Sequence, residues 1–539
     1  MKGGSDYNMF GKRYHKTVSV SWIVLVFVLI MTGCMPDDKR ANQTQSSAAG
    51  TGQDESSDSK AVTIIHSLPV DTLDPHLGWI ALRAGVTETL LRLDDNMQVT
   101  PWLASKWEAK DPVTWVFTLR DNISFQDGTK LDAAAAKASF ERGIADSKAL
   151  AASLKIASIE ANGQELTFTT KEPHPAFPNE LVHPTASIIS VAAEEAMSKE
   201  AFNQSPVGTG PFKVTAFVPG KEITLVRHDS YWDELAKLTD VTIQFNADAN
   251  VRTLAYQSKQ ADIVYHLAPE SLERIEKDEE LTVQSVTSLR THYFTYNPAS
   301  TNVADLRVRQ ALDKLIDREA IVKEIMLGHA MPANGPFNAT LPFGNKDAAQ
   351  MLDQAGTLKL LESVGYTKGA TGKLEKDGKP LVLKLIAFSG INPELPLIPL
   401  LLQSEAAKVG ITIEIVSVEY PGEYIKNHTD WDLSTASYLT SPRGDGGSFL
   451  HSAYVPGGAY NPTNIHINNL EPILKELNKT GDVAKRHALT RHAVEVIQEA
   501  MPHSYIVHPN ILVGIHQRVS NWKPGAEEFY IVTNKMDVK

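Results

Sequence analysis

Residues 102–144 read WLASKWEAKDPVTWVFTLRDNISFQDGTKLDAAAAKASFERGI, and they show how the chain is built. Trp115, Phe117 and Leu119 alternate with other residues at the period of two that puts them on one face of a β-strand. Gln126-Asp127-Gly128 then supplies a turn, and an alanine-rich helix follows. On the N-terminal side, Val62-Thr63-Ile64-Ile65 is a β-branched strand, LDPHLGW at 73–79 is rich in turn formers, and 81–93 has a helical pattern. Strands and helices go on alternating to the C-terminus, which predicts mixed α/β layers rather than an all-α or all-β body. No internal repeat stands out at solenoid or propeller spacing.

At 539 residues, 42% hydrophobic and 22% charged, the chain has an ordinary globular balance and the length of two or three compact units. Lys and Arg number 52 against 64 Asp and Glu, a formal charge of −12, so the chain lacks the basic field that draws proteins to phosphate backbones. No nucleic-acid partner is expected. A single cysteine excludes an intrachain disulfide framework and a cysteine-based zinc ribbon.

That cysteine is Cys34, preceded by Lys12, Arg13 and Lys16, by an apolar run at 18–31, and by the small pair Thr32-Gly33. The run is short for a membrane span, which needs about 20 residues, and has the length of a signal-peptide core. Met31-Thr32-Gly33-Cys34 resembles the bacterial lipobox, with Met where Leu is commoner. That resemblance implies cleavage before Cys34, a diacylglycerol on its sulfur, and an extracytoplasmic protein lipid-anchored to the cell membrane. Residues 35–60 are rich in Ser, Gln, Asp and Gly and nearly free of large apolar side chains, the composition of a disordered tether.

Several short motifs then occur in order: Leu73-Asp74-Pro75-His76, Pro101-Trp102-Leu103-Ala104 with Trp107, Phe117-Thr118-Leu119-Arg120, Phe125 with Asp127-Gly128, Gly208-Thr209-Gly210-Pro211-Phe212, Tyr231-Trp232, and Val308-Arg309-Gln310-Ala311-Leu312 with Ile316-Asp317-Arg318. In this order they resemble the large extracytoplasmic solute-binding proteins (family 5) of ABC importers for peptides and nickel chelates. The resemblance implies a two-lobed periplasmic-binding-protein-like α/β fold with an extra inserted subdomain and a two-strand hinge. Its divisions are expected at 1–34 (signal peptide with lipobox), 35–60 (tether), 61–90, 208–296 and 505–539 (lobe I), 91–207 (inserted subdomain) and 297–504 (lobe II). The hinge would comprise His292-Tyr293-Phe294-Thr295-Tyr296 and Tyr505-Ile506-Val507. Read physically, Gly208 and Gly210 suit a tight turn with positive φ before a strand. Arg309 and Asp317 lie on one predicted helix as scaffold, and Trp102, Trp107 and Trp115 read as packing.

No nucleophile elbow, phosphate loop, zinc-protease helix or dinucleotide fingerprint stands in a convincing context, so no enzyme activity is expected. The expected role is an importer's substrate-binding lipoprotein, a monomer that captures nickel or a similar metal as a chelate; oligopeptide or dipeptide binding is the alternative. Partners would be the permease and ATPase subunits, with no prosthetic cofactor. The most distinctive segment is 438–451, where Arg443, among three glycines, offers a rigid fork for a carboxylate; its other reading is a surface pair with Asp445. Tyr438 and Tyr293 offer flat faces, and Arg290 and His292 share one side of a strand entering the hinge, either lining the cleft or packed in the core. His183 beside Pro184 and His508 in MPHSYIVHPN are candidate metal ligands, with His508 preferred to His503. The sequence singles out no acidic residue for a peptide's amino terminus, and this favours the chelate.

Cys34→Ala should leave the protein unlipidated. Membrane fractionation and the mass of the mature chain check this, and an unchanged result in both would rule out the lipid anchor.

Overall fold

The structure is a computed structural model that describes residues 60–388, 394–419 and 421–539; the apolar run, Cys34 and residues 35–59 of the tether lie outside them. The β-branched run near the start forms β1 (Ala61–His66), in a sheet of twelve strands. Numbered along this sheet in chain order, the others are β2 (Phe212–Val218), β3 (Glu222–Arg227), β4 (Asp240–Phe245), β5 (Ile263–Tyr265), β6 (Leu281–Thr287), β7 (Arg290–Tyr296), β8 (Ala330–Pro332), β9 (Val382–Phe388), β10 (Thr412–Val418), β11 (Leu433–Leu439) and β12 (His503–His516). Their spatial order is β10-β9-β11-β7-β12-β5-β1-β4-β3-β2, with β6 and β8 also on β12.

Two parallel centres define the two lobes: β1 lies parallel to β4 and β5, and β9 lies parallel to β10 and β11. Between them runs β12. Its first residues pair antiparallel with β7, from His503 opposite Thr295 to Val507 opposite His292 across a bulge. Its later residues pair with β5 and β6, Ile515 standing opposite both Ile263 and Thr282. Ser288, between β6 and β7, fixes the changeover by donating from Oγ to the Pro509 carbonyl at 2.7 Å.

The stretch at 102–144 folds as its pattern predicts. Thr114–Leu119 is a strand with Phe117 and Leu119 buried, and Ala133–Asp146 is a helix whose Asp132 Oδ1 accepts from the Ala135 N–H at 2.9 Å. With Ala104–Ala109, Ile156–Asn162 and Glu165–Thr170 the strand makes a separate four-stranded antiparallel sheet. Its apolar cluster runs on through Phe177 into Phe337, Phe449, Leu450 and Tyr454.

Two predicted helices are shorter than their patterns. The one at 81–93 is only Ile80–Arg83, because Gly85 turns the chain at φ +66° and a side chain there would meet the Val532 carbonyl at 2.9 Å. Leu91–Leu93 is a strand instead. The helix carrying Arg309 stops at Asp313, and Asp317 starts a new one by capping the Ala320 N–H at 2.9 Å. Arg309 donates to the carbonyls of Met501, Val303, Ala304 and Ala500, a scaffold role.

Gly208 and Gly210 do not have the positive φ expected of them; close approach demands them. A Cβ at Gly208 would lie 2.2 Å from the Val86 carbonyl, and one at Gly210 would lie 2.2 Å from that of Gly85. The approach brings two sequence motifs onto one buried carboxylate. Glu88 accepts from Thr209 Oγ1 at 2.7 Å, Tyr231 Oη at 2.6 Å and Trp232 Nε1 at 2.8 Å. Burial pushes the Glu88 carboxyl up to about 7, although the three hydrogen bonds favour the ionised form. The folded protein therefore holds this proton up to about pH 7, whereas the unfolded chain releases it near 4.5. The linked stability is fully present below 4.5 and is lost as pH rises through about 7, a change of about 3 kcal/mol. Glu88→Gln cannot titrate and should lose that dependence, as thermal melts across the window would show.

Candidate ligand-binding site

The carboxyl ends of β1 and β5 open on a cavity of about 880 Å³, bounded on its other side by β7 and β11. Parallel strands leave the sheet at a common edge, where such folds place ligands. With Ile65 opposite Val264, the register carries His66 and His266 to that edge together. Their rings stand perpendicular at 5.4 Å between centroids. Glu528, from the loop that returns after β12, completes the group: its Oε2 lies 3.4 Å from His266 Nε2 and 3.9 Å from His66 Nε2. Both His266 and Glu528 adopt φ +57°, a left-handed conformation uncommon outside glycine.

Beside this group Arg83 donates from Nε to the Glu528 backbone carbonyl at 2.8 Å and lies 5.2 Å from the centre of the Trp79 ring. Burial raises the affinity of Glu528 for a proton, but the hydrogen bond and charge of His266, with Arg83 and His66, outweigh it and hold the carboxyl well below its usual range. Burial, with Arg83 next, drives His66 well below its ordinary value, so it is neutral. Among the described residues His66, His266 and Glu528 form the one group able to hold a metal ion.

The opposite wall carries Arg290, whose guanidinium donates to Ser437 Oγ at 3.2 Å, and Glu394, whose Oε1 lies 2.8 Å from His292 Nε2. Burial would raise the Glu394 carboxyl, yet His292 and then Arg290 bring it below its ordinary value. Tyr293, Tyr438 and Tyr460 supply an aromatic face, the last two at 4.4 Å between centroids. The cavity therefore offers two cationic forks, two paired carboxylates and aromatic rings, Trp79 among them.

Of the side chains proposed from sequence, Arg290, Tyr293 and Tyr438 line this cavity and four do not. Arg443 is held by Glu180, Nε to Oε2 at 2.8 Å, while Asp445 pairs with Arg486 at 2.7 Å. Neither the carboxylate fork nor the Asp445 pair is what the fold builds there. The glycine loop approaches protein rather than ligand: a Cβ at Gly444 would lie 2.3 Å from the Met97 carbonyl. His183 packs edge-on against Trp79 at 5.3 Å, its Nδ1 2.7 Å from Thr185 Oγ1. His292 is buried behind Glu394. His508 faces a separate pocket of about 580 Å³, with Nδ1 3.0 Å from Thr291 Oγ1, and burial pushes it down to about 4. His503, the less favoured of the pair, is the one that reaches the cavity; its ring lies tilted against Tyr293 at 4.7 Å between centroids, with neither ring nitrogen hydrogen-bonded. Sequence reading passed over Arg83, His66, His266, Glu394 and Glu528. His66 ends a recognisable strand and could have been found as its carboxyl-terminal residue; the others carried no local signal.

Residues 98–461 match the pattern of the bacterial extracellular solute-binding proteins, family 5 middle region. The nickel-binding protein NikA of Staphylococcus aureus is 32% identical over 477 residues, 88% of this chain and 94% of that protein. The crystal structure of a nickel ABC transporter protein from Bacillus halodurans superimposes with a TM-score of 0.77 at 42% identity, covering 89% of this chain and all of the other. NikA from Staphylococcus aureus in complex with Ni(L-His)2 superimposes at 0.76 with 30% identity, covering 89% and 100%. Motif order, a two-lobed sheet with its cavity between the lobes, and these likenesses agree: the chain belongs to the bacterial extracellular solute-binding proteins, family 5.

Proposed function

We propose that this protein captures nickel, or a similar transition metal, as an anionic chelate between its lobes and delivers it to the permease and ATPase of an ABC importer, held at the membrane through Cys34. The observation that carries the ligand is the pair Arg83 and Arg290 on opposite walls of one cavity. Two guanidinium groups repel a bare dication but bind the carboxylates of a chelator bidentately. Tyr438, Tyr460 and Trp79 then flank its organic part. The nickel-binding relatives support the same cargo.

Peptide binding is the second reading, and one observation favours it. The acidic residue missing from the sequence reading has two candidates on the cavity wall, Glu528 and Glu394. Each is already engaged by a histidine, His266 and His292 respectively, so a peptide ammonium would have to displace it. The chelate is therefore preferred. Binding without turnover is the reading that membership of a solute-binding family supports.

Calorimetry with nickel, with L-histidine and with their mixture tests the cargo. Strong binding should require the mixture, and Arg290→Ala should weaken it by about 1.5–3 kcal/mol, roughly tenfold to a hundredfold in Kd. Equal binding of a metal-free oligopeptide would transfer the case to peptides. Because β7 and β12 are the strands that join the lobes, saturating nickel and histidine should also make the particle more compact in small-angle scattering. An unchanged radius would exclude closure.

A further inference from the structure

We propose that His66, His266 and Glu528 ligate the cargo metal directly, so that the transported species is a one-to-one complex with a single tridentate, anionic chelator and not a saturated bis-chelate. This rests on the chelate reading above and goes beyond it, since outer contacts alone would accept either stoichiometry. The donor atoms of the three side chains all lie within 4.8 Å of one another. Neighbouring ligands on an octahedral ion, each about 2.1 Å from the metal, stand about 3 Å apart. His266 and Glu528 at 3.4 Å are near that spacing already, and His66 must close by about 1 Å from 3.9 Å. Two imidazoles and a carboxylate suit nickel, cobalt, copper or zinc rather than magnesium or calcium.

The supporting contacts fit this use. Ser67 Oγ lies 2.9 Å from His266 Nδ1 and accepts that proton when His266 Nε2 exchanges its hydrogen bond to Glu528 for the metal. His66 Nε2 is buried and without a hydrogen-bond partner. Its Nδ1 receives the Leu68 N–H at 3.2 Å; this long contact is what gives way when Nε2 takes metal and the ring proton moves to Nδ1. Glu528 keeps a left-handed backbone whose carbonyl Arg83 holds, and backbone strain of this kind is retained where the surroundings impose it. Three protein donors leave three positions on an octahedral ion. One tridentate chelator fills them, and a second has no place. The Arg83 charge beside the group disfavours a naked dication, so the chelator must bring carboxylates.

The test uses nickel iminodiacetate, a tridentate dicarboxylate complex containing no imidazole. Nickel-edge X-ray absorption of the loaded protein should show scattering from two imidazole rings, which only the protein can supply. His266→Ala should reduce this to one ring and weaken binding tenfold or more, and Glu528→Gln should weaken it comparably. The unliganded melting temperature of each variant shows whether it has folded; His266, being partly exposed, gives the decisive variant should the other unfold. With L-histidine as chelator, native mass spectrometry should find one histidine per nickel. Bound nickel iminodiacetate without imidazole scattering, its failure to bind where nickel with histidine binds, two retained histidines, or an unaffected His266→Ala would each overturn direct ligation while leaving chelate capture intact. Binding of a metal-free peptide with no nickel complex bound would instead remove the chelate reading and this inference with it.

Discussion

The two halves of the sheet both pair with one strand, His503–His516, and this sets where the cavity residues stand. Its first part is hydrogen-bonded to β7 and its later part to β5 and β6, so the two halves of the sheet share one continuous backbone. Backbone pairing across both halves fixes their register, and a one-residue slip would turn each inward side chain outward. Because β7 and β5 flank the same strand, Arg290 and Tyr293 line one cavity with His266 from the other side of that strand. The cavity is thus a consequence of strand order.

Charge inside that cavity is arranged in opposed pairs. Glu528 answers two histidines and Arg83; Glu394 answers His292 and Arg290. A buried charge without a partner costs far more than one that is paired and hydrogen-bonded. The arginines nevertheless spend little of their donor capacity on protein: Arg83 gives its Nε to a carbonyl, and Arg290 one terminal nitrogen to Ser437. Donors left over in a concave site are what distinguish a binding surface from a core ion pair.

Elsewhere, residues that look functional in one dimension serve to hold segments together. Arg443 pairs with Glu180, Asn179 Nδ2 donates to the Arg443 carbonyl at 2.9 Å, and Gly444 lies against Met97, so the glycine loop fastens 438–451 to the region of the four-stranded sheet. Gly208-Thr209-Gly210 does the same for the backbone at 85–88, with Glu88 as the common acceptor. In both loops glycine is needed because two backbones meet, and only at Gly444 does a positive φ coincide with the close approach.

The sequence by itself determined what depends on neighbours along the chain. Alternation at 115–119, the turn at Gly128 and the alanine-rich helix after it all appear where their patterns put them, and the ordered motifs identify the family. Arg290 and Tyr293 were legible because their strand enters the expected hinge, and Tyr438 because it opens the glycine-rich segment at 438–451. Helix length was not legible at 81–93, where the helix ends at Arg83 and Gly85 turns the chain against the backbone of Val532, far along the sequence. Nor could the sequence choose among histidines. Ser67 and His266 meet across 199 positions, and Glu528 joins them from beyond the last long strand. Only parallel pairing of β1 with β5, together with the return of the chain after β12, brings them to one edge. Periodicity reports which way a side chain faces, whereas the partner it faces is set by strand order, and strand order is decided by pairing between distant segments.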